Sequence, residues 1–169
     1  TLRELLLSGT PISLVLTRPD APIGRKAVIT PSPVAIVANE FGIPVIKSNS
    51  VGEPEIKTIQ SAKVEFAIVV ALGVLLKQEA LDAISKGWFN LHYSLLPRWR
   101  GAAPVQHAII SGDKVTGLTI FKIDTGLDTG PIVANLSTEV QPDETSGDLL
   151  GRLTNLGICL LYTSDAADD

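Results

Sequence analysis

Apolar residues along this 169-residue chain fall in short runs that alternate with stretches of helical period, and the alternation sets the expected architecture. Residues 1–7 read as the last turns of an apolar helix, stopped by Ser8, Gly9, Thr10 and Pro11. Residues 12–17 are rich in β-branched side chains and predict a strand. Residues 32–41 predict a helix with Ser32 as N-cap, Pro33 at its first position and Gly42 beyond its end. The run over 66–71 is apolar without alternation, which suits a strand buried on both faces of a parallel sheet and ended by Gly73. Further on, the pattern predicts a helix over 77–86, a strand over 89–92, a helix over 105–110, strands over 117–123 and 132–136, and a helix over 146–156. Alternating units of this length imply an α/β domain on a doubly wound sheet, with its chemistry at the carboxyl ends of the strands.

Composition narrows the class. The chain is 45% hydrophobic and 5% aromatic, and it has no run of eighteen apolar residues, so neither a membrane span nor a disordered tail is expected. A net charge of -4 excludes a surface that is basic all over, so contact with a nucleic acid has to come from a local patch. The first seven residues mix charges into their apolar run, unlike a signal peptide, and the single cysteine, Cys159, cannot form an internal disulfide. A reducing, cytoplasmic setting is expected. Residues 159–169 resemble the translation of a transposase adapter used in preparing sequencing libraries, so native sequence is expected to end near Ile158 and the fold is read over 1–158.

The richest place after a buried strand is Asn90-Leu91-His92-Tyr93-Ser94-Leu95-Leu96-Pro97. Residues two apart on a strand share a face, so the Asn90 amide and the His92 imidazole are expected to project together. An amide N–H can stabilise an oxygen that becomes negative, and an imidazole can donate to that oxygen or accept a proton near neutral pH. The same pair equally fits a core histidine beside a turn-forming asparagine. A second constellation, Asp124-Thr125-Gly126-Leu127-Asp128-Thr129-Gly130, follows the strand over 117–123. Its glycines allow tight turns and its carboxylates can orient a histidine, although an acidic hairpin turn has the same composition. Residues 17–33 form a proline-punctuated connection, longer than usual for such links, that carries the basic residues Arg18, Arg25 and Lys26. These can meet phosphates or simply decorate a solvated loop. Two scattered histidines and no usable cysteine predict no metal site.

Residues 90–104, Asn-Leu-His-Tyr-Ser-Leu-Leu-Pro-Arg-Trp-Arg-Gly-Ala-Ala-Pro, resemble the signature of the folate-dependent formyltransferases, and residues 124–130 resemble their second signature in the same order. The resemblance covers nearly all of residues 1–158. It implies a Rossmann-like, doubly wound, mostly parallel sheet whose first strand is missing ahead of Thr1, and a chain prone to aggregate for want of it. It implies Asn90, His92 and Asp128 as the catalytic set and 10-formyltetrahydrofolate as formyl donor. The donor contacts implied are Ser94, Leu95, Leu96 and Pro97, then Leu72, Gly73 and Leu75, and the turn of Asp124, Thr125 and Gly126. The Gly24-Arg25 step and the Arg98-Trp99-Arg100 tripeptide resemble the branch that formylates initiator methionyl-tRNA, which implies tRNA contacts by Arg18, Arg25 and Lys26 and no partner in DNA or membrane. The alternatives are a sister enzyme acting on a sugar-nucleotide amine or hydrolysing the folate itself, and a folate-binding fragment without activity. His107 matches no catalytic position and reads as a surface or packing histidine.

Overall fold

A computed structural model of the chain describes residues 1–165; side chains are described through Tyr162, and the last part of the stretch read as adapter lies outside the described residues. The chain forms two bodies, one of residues 2–67 and 72–87, the other of residues 68–71 and 88 onward.

In the first body, helix α1 (Leu2–Leu7) leads to strand β1 (Val15–Thr17), the hairpin of β2 (Ala21–Ile23) and β3 (Val28–Thr30), helix α2 (Pro33–Glu40), strand β4 (Val45–Lys47), helix α3 (Glu53–Ser61) and the short helix α4 (Gln78–Leu81). β1 and β4 pair in parallel, whereas β2 and β3 pair antiparallel. The start of α2 is as expected: the Ser32 hydroxyl accepts the Ala35 amide at 3.1 Å, Pro33 opens the helix and Gly42 follows it at φ +69°. Val15, Ala35, Ala38, Val51 and Ile59 are among the buried apolar residues of this body.

The second body carries strand β6 (Gly87–His92, its first residue in the other body), helix α5 (Pro104–Ile110), strands β7 (Val115–Lys122) and β8 (Ile132–Glu139), and helix α6 (Ser146–Asp165). Strands β5 (Phe66–Val69, its first two residues in the other body), β6, β7 and β8 form a four-stranded sheet in that order. The α/β expectation holds, and the sheet is mixed, because β6–β7 and β7–β8 are antiparallel. Leu91, Leu118, Ile120, Phe121, Leu149 and Leu153 form its core. Gly157 lets α6 lie on β6, since a Cβ there would sit 2.8 Å from a Leu91 methyl. Helix α6 passes residue 158 without interruption.

Three expectations need correction. β5 is not buried on both faces: it is an edge strand, and Phe66 and Ile68, two residues apart on one face, are 39% and 38% exposed. The helix expected over 77–86 stops at Leu81, after which a turn closed by the Ala83 amide on the Ala80 carbonyl leads the chain toward β6. Residues 17–33 are not one long loop, because Ala21-Pro22-Ile23 and Val28-Ile29-Thr30 pair as a hairpin. Three-residue strands, one containing proline, leave too little alternation to read.

Candidate active site

Strand β6 delivers Asn90 and His92 opposite Phe121 and Thr119 of β7, at the carboxyl end of β6 where the chain leaves the sheet. His92 is 6% exposed, and its ring meets the Phe121 ring edge-on with centroids 6.5 Å apart. The Asn90 side chain is half-buried and makes no hydrogen bond among the described residues, so its amide is available to an incoming oxygen. From the loop between β7 and β8, Asp128 brings its Oδ2 to 3.7 Å from His92 Nδ1. The same Oδ2 accepts the Gly101 amide at 2.7 Å, which fixes the carboxylate. On the other side of the ring, His92 Nε2 lies 2.9 Å from the carbonyl oxygen of Trp99. A carbonyl only accepts, so this contact puts the proton of the neutral ring on Nε2 and leaves the Nδ1 lone pair toward Asp128. The structure thus gathers Asn90, His92 and Asp128 on one edge of a single body.

The backbone that holds this arrangement is unusual. Trp99, Ala103 and Asp128 have φ of +59°, +57° and +50°, and Gly101 has +81°. A non-glycine residue in the left-handed region costs about 1–2 kcal/mol, so neighbouring contacts must hold Trp99 and Ala103 there, whereas an aspartate tolerates it better. For Trp99 the contacts are evident. Its indole N–H donates to Asp113 Oδ2 at 2.7 Å, and its neighbour Arg98 makes a two-pronged pair with the same carboxylate at 2.9 and 2.6 Å. The Arg98 guanidinium lies 4.3 Å from the Trp99 ring centroid, and the His107 ring stacks on Trp99 at 5.2 Å. Hydrogen bonds from Arg98 and then Trp99 hold the Asp113 carboxyl below its ordinary range.

The segment expected to hold the donor, residues 94–97, is locked to β7 through Thr119, whose hydroxyl donates to the Ser94 carbonyl at 2.7 Å and accepts the Leu96 amide at 3.1 Å. Ser94 is wholly buried and its hydroxyl donates to the Arg98 carbonyl, so this side chain shapes the turn instead of facing solvent. Leu95 and Leu96 are half-buried and Pro97 is exposed. In the β7–β8 loop, Asp124 Oδ1 accepts the Gly126 amide at 3.0 Å and the Thr129 hydroxyl at 2.7 Å, and Thr125 is exposed. Gly130 has no alternative there, because a Cβ would fall 1.7 Å from the Lys122 carbonyl.

Leu72, Gly73 and Leu75 lie in the first body, between β5 and α4, with Gly73 at φ +68° and Leu75 79% exposed. Arg25 and Lys26 occupy the tip of the β2–β3 hairpin, closed by the Ala27 amide on the Gly24 carbonyl, and both are exposed. Arg18 is not at the tip: it precedes β2, and its guanidinium donates to the Pro19 carbonyl at 2.8 Å. Ile23, Val28 and Ile29 flank the tip and are half or more exposed. Among the described residues no group of three or more His, Cys, Asp or Glu side chains is disposed to hold a metal ion, and no helix is long and apolar enough to cross a membrane.

Residues 3–163 match the family described as formyl transferase. The chain belongs to that family. It is 50% identical over 162 residues to the methionyl-tRNA formyltransferase of Acidothermus cellulolyticus, an overlap of 95% of this chain and 50% of that protein. With the protein of the same name from Paenarthrobacter aurescens it shares 48% over 169 residues, 100% of this chain and 55% of the relative. The chain therefore spans about half the length of the curated relatives it matches. Among solved structures, the phosphoribosylglycinamide formyltransferase of Bacillus halodurans superposes with a TM-score of 0.78 at 24% identity, covering 96% of this chain and 84% of that one, and so shares the fold. The sequence left Gly101 and Asp113 without a role, and Trp99 entered only within the Arg98-Trp99-Arg100 tripeptide. Trp99 and Gly101 meet His92 and Asp128 through backbone atoms, and Asp113 reaches them only by way of Arg98 and Trp99, so no side-chain pattern marks them.

Proposed function

We propose that this chain is the catalytic domain of a cytoplasmic enzyme that moves a formyl group from 10-formyltetrahydrofolate to the amino group of initiator methionyl-tRNA. The observation that carries the reading is the meeting of Asp128 and the Nδ1 edge of His92 beside an Asn90 amide with no partner among the described residues. The acceptor is argued from the names of relatives at about half identity and from the basic tip of the hairpin. The donor is a substrate here, and the half-buried Leu95 and Leu96 and the tight Asp124–Gly126 turn suit a flat, polar-edged heterocycle.

In this mechanism the neutral amine attacks the formyl carbon and the carbonyl oxygen becomes an oxyanion, which the Asn90 amide N–H stabilises. His92, with Nε2–H on the Trp99 carbonyl, takes the amine's proton at Nδ1, and its N–H then serves the oxyanion. Asp128, 3.7 Å away, favours the imidazolium that results. Collapse of the tetrahedral species breaks the bond from carbon to folate N10, which receives the proton from His92. No covalent enzyme intermediate is required. Formyl transfer assayed with 10-formyltetrahydrofolate and, in separate reactions, methionyl-tRNA, glycinamide ribonucleotide and a sugar-nucleotide amine tests the proposal. Product on methionyl-tRNA alone supports it; product on a small amine, or formate alone, moves the chain to a sister activity.

A further inference from the structure

Residues 98–101 touch the catalytic set from within and a second carboxylate from without. Inward, the Trp99 carbonyl accepts from His92 Nε2 and the Gly101 amide donates to Asp128 Oδ2. Outward, Arg98 and the Trp99 indole both donate to Asp113, the third residue past the end of helix α5, after the C-cap Ser111 and Gly112. Arg98 is exposed on its far side, whereas the Asp113 side chain is 11% exposed, so the carboxylate is the fixed member of the group. The hydrogen bond to Asp113, the Arg98 guanidinium and the His107 stack hold the Trp99 side chain while its backbone stays at φ +59°. A peptide rotation there would swing the carbonyl away from Nε2 and release the ring to either tautomer.

We infer that Asp113 is a positioning residue: by clamping Arg98 and the Trp99 indole it aims the Trp99 carbonyl at His92 Nε2 and so keeps the Nδ1 lone pair on the Asp128 side. The inference deepens the proposed function and rests on its assignment of His92 as the proton carrier. The tautomer itself is readable without any substrate.

The test is long-range proton–nitrogen NMR of the imidazoles in the ¹⁵N-labelled full chain at a pH where they are neutral. Only His92 and His107 contribute, and a separate His107→Gln sample assigns them. The native chain is expected to show one protonated and one unprotonated nitrogen for His92. In Asp113→Ala the two nitrogen signals are expected to converge as the tautomers mix, and kcat for formyl transfer to fall ~10-fold with the donor KM little changed, as for a misaligned catalytic group. Should Asp113→Ala not fold, Trp99→Phe keeps an aromatic ring against His107 and removes the indole donor to Asp113, and the same convergence is expected. His92 nitrogens at their native positions in a folded Asp113→Ala, or in Trp99→Phe where Asp113→Ala does not fold, overturn the inference. If the nitrogens converge while methionyl-tRNA is not formylated by the native chain, the proposed function fails and the positioning role stands.

Discussion

Replacing Asp128 by asparagine separates charge from geometry better than any other change in the site. Asparagine tolerates the left-handed backbone that Asp128 adopts at φ +50°, and its amide oxygen can still accept the Gly101 N–H. What disappears is the negative charge 3.7 Å from His92 Nδ1. Two unit charges at that separation interact by roughly 4 kcal/mol at the effective dielectric of a protein surface site, and partial solvent access to the carboxylate, which is 14% exposed, brings the working value nearer to about 2 kcal/mol. If the imidazolium forms only on the way to the transition state, single-turnover formyl transfer slows between about 30-fold and about 10³-fold, because each 1.4 kcal/mol is tenfold. The assay is rapid-quench transfer from 10-formyltetrahydrofolate to methionyl-tRNA with enzyme in excess, beside a thermal melt to show that the fold persists. A folded Asp128→Asn enzyme slowed less than about threefold would refute the reasoning, since less than 1 kcal/mol of transition-state charge stabilisation would then come from this carboxylate.

Other consequences are open to measurement. Arg152 makes a two-pronged pair with Glu144 at 2.8 and 2.9 Å and also binds Thr138 and the Glu139 carbonyl, tying helix α6 to β8; Arg152→Ala leaves a nearly buried carboxylate without its counter-charge, held only by the Gln141 amide. Discounted for the part-exposed arginine, the loss is about 2–3 kcal/mol, or roughly 5–10 °C in Tm by circular dichroism, and an unchanged melt contradicts it. Arg152 holds the Glu144 carboxyl below its ordinary range, and Arg98 with Trp99 does the same for Asp113. A depressed folded-state value gives stability that is fully present above the ordinary carboxylate range, near pH ~4, and is lost as pH falls through the folded values, so the urea midpoint should drop below that pH and drop less in Glu144→Gln. If Arg25 and Lys26 meet tRNA phosphates, replacing both by alanine should reduce the slope of log affinity against log salt by about 1–2 while leaving donor binding unchanged; an unaltered slope counts against the hairpin as a tRNA contact.

How far the sequence can be read depends on whether a feature is local. Asn90 and His92 were legible because period-two alternation within one strand puts them on one face, and the capping of α2 because Ser32, Pro33 and Gly42 act within their own helix. The loop over 124–130 offered two carboxylates able to orient a histidine, but no local pattern ties Asp128 to His92, and the choice of Asp128 over Asp124 came through the resemblance to a known signature. Trp99 and Asp113 as supports of the site were not legible at all: fourteen positions separate them, and their effect on His92 passes through a carbonyl whose direction depends on a left-handed φ. Helix α3 escaped because its N-cap is Gly52, with no side-chain oxygen, although Pro54 in its first turn and Glu55, reaching back to the Gly52 amide at 2.9 Å, mark its start. The exposed face of β5 could not be read either, because an unbroken apolar run says nothing about whether its neighbours cover one face or two.

Single-turnover formyl transfer to methionyl-tRNA by the native chain and by Asn90→Ala decides whether this site stabilises an oxyanion, because that amide is the one group assigned solely to the oxyanion. Loss of one such donor predicts a rate lower by ~10²-fold to 10³-fold with the fold intact. A decrease under about threefold would contradict the assignment of Asn90, and with it the account of how this site moves a formyl group.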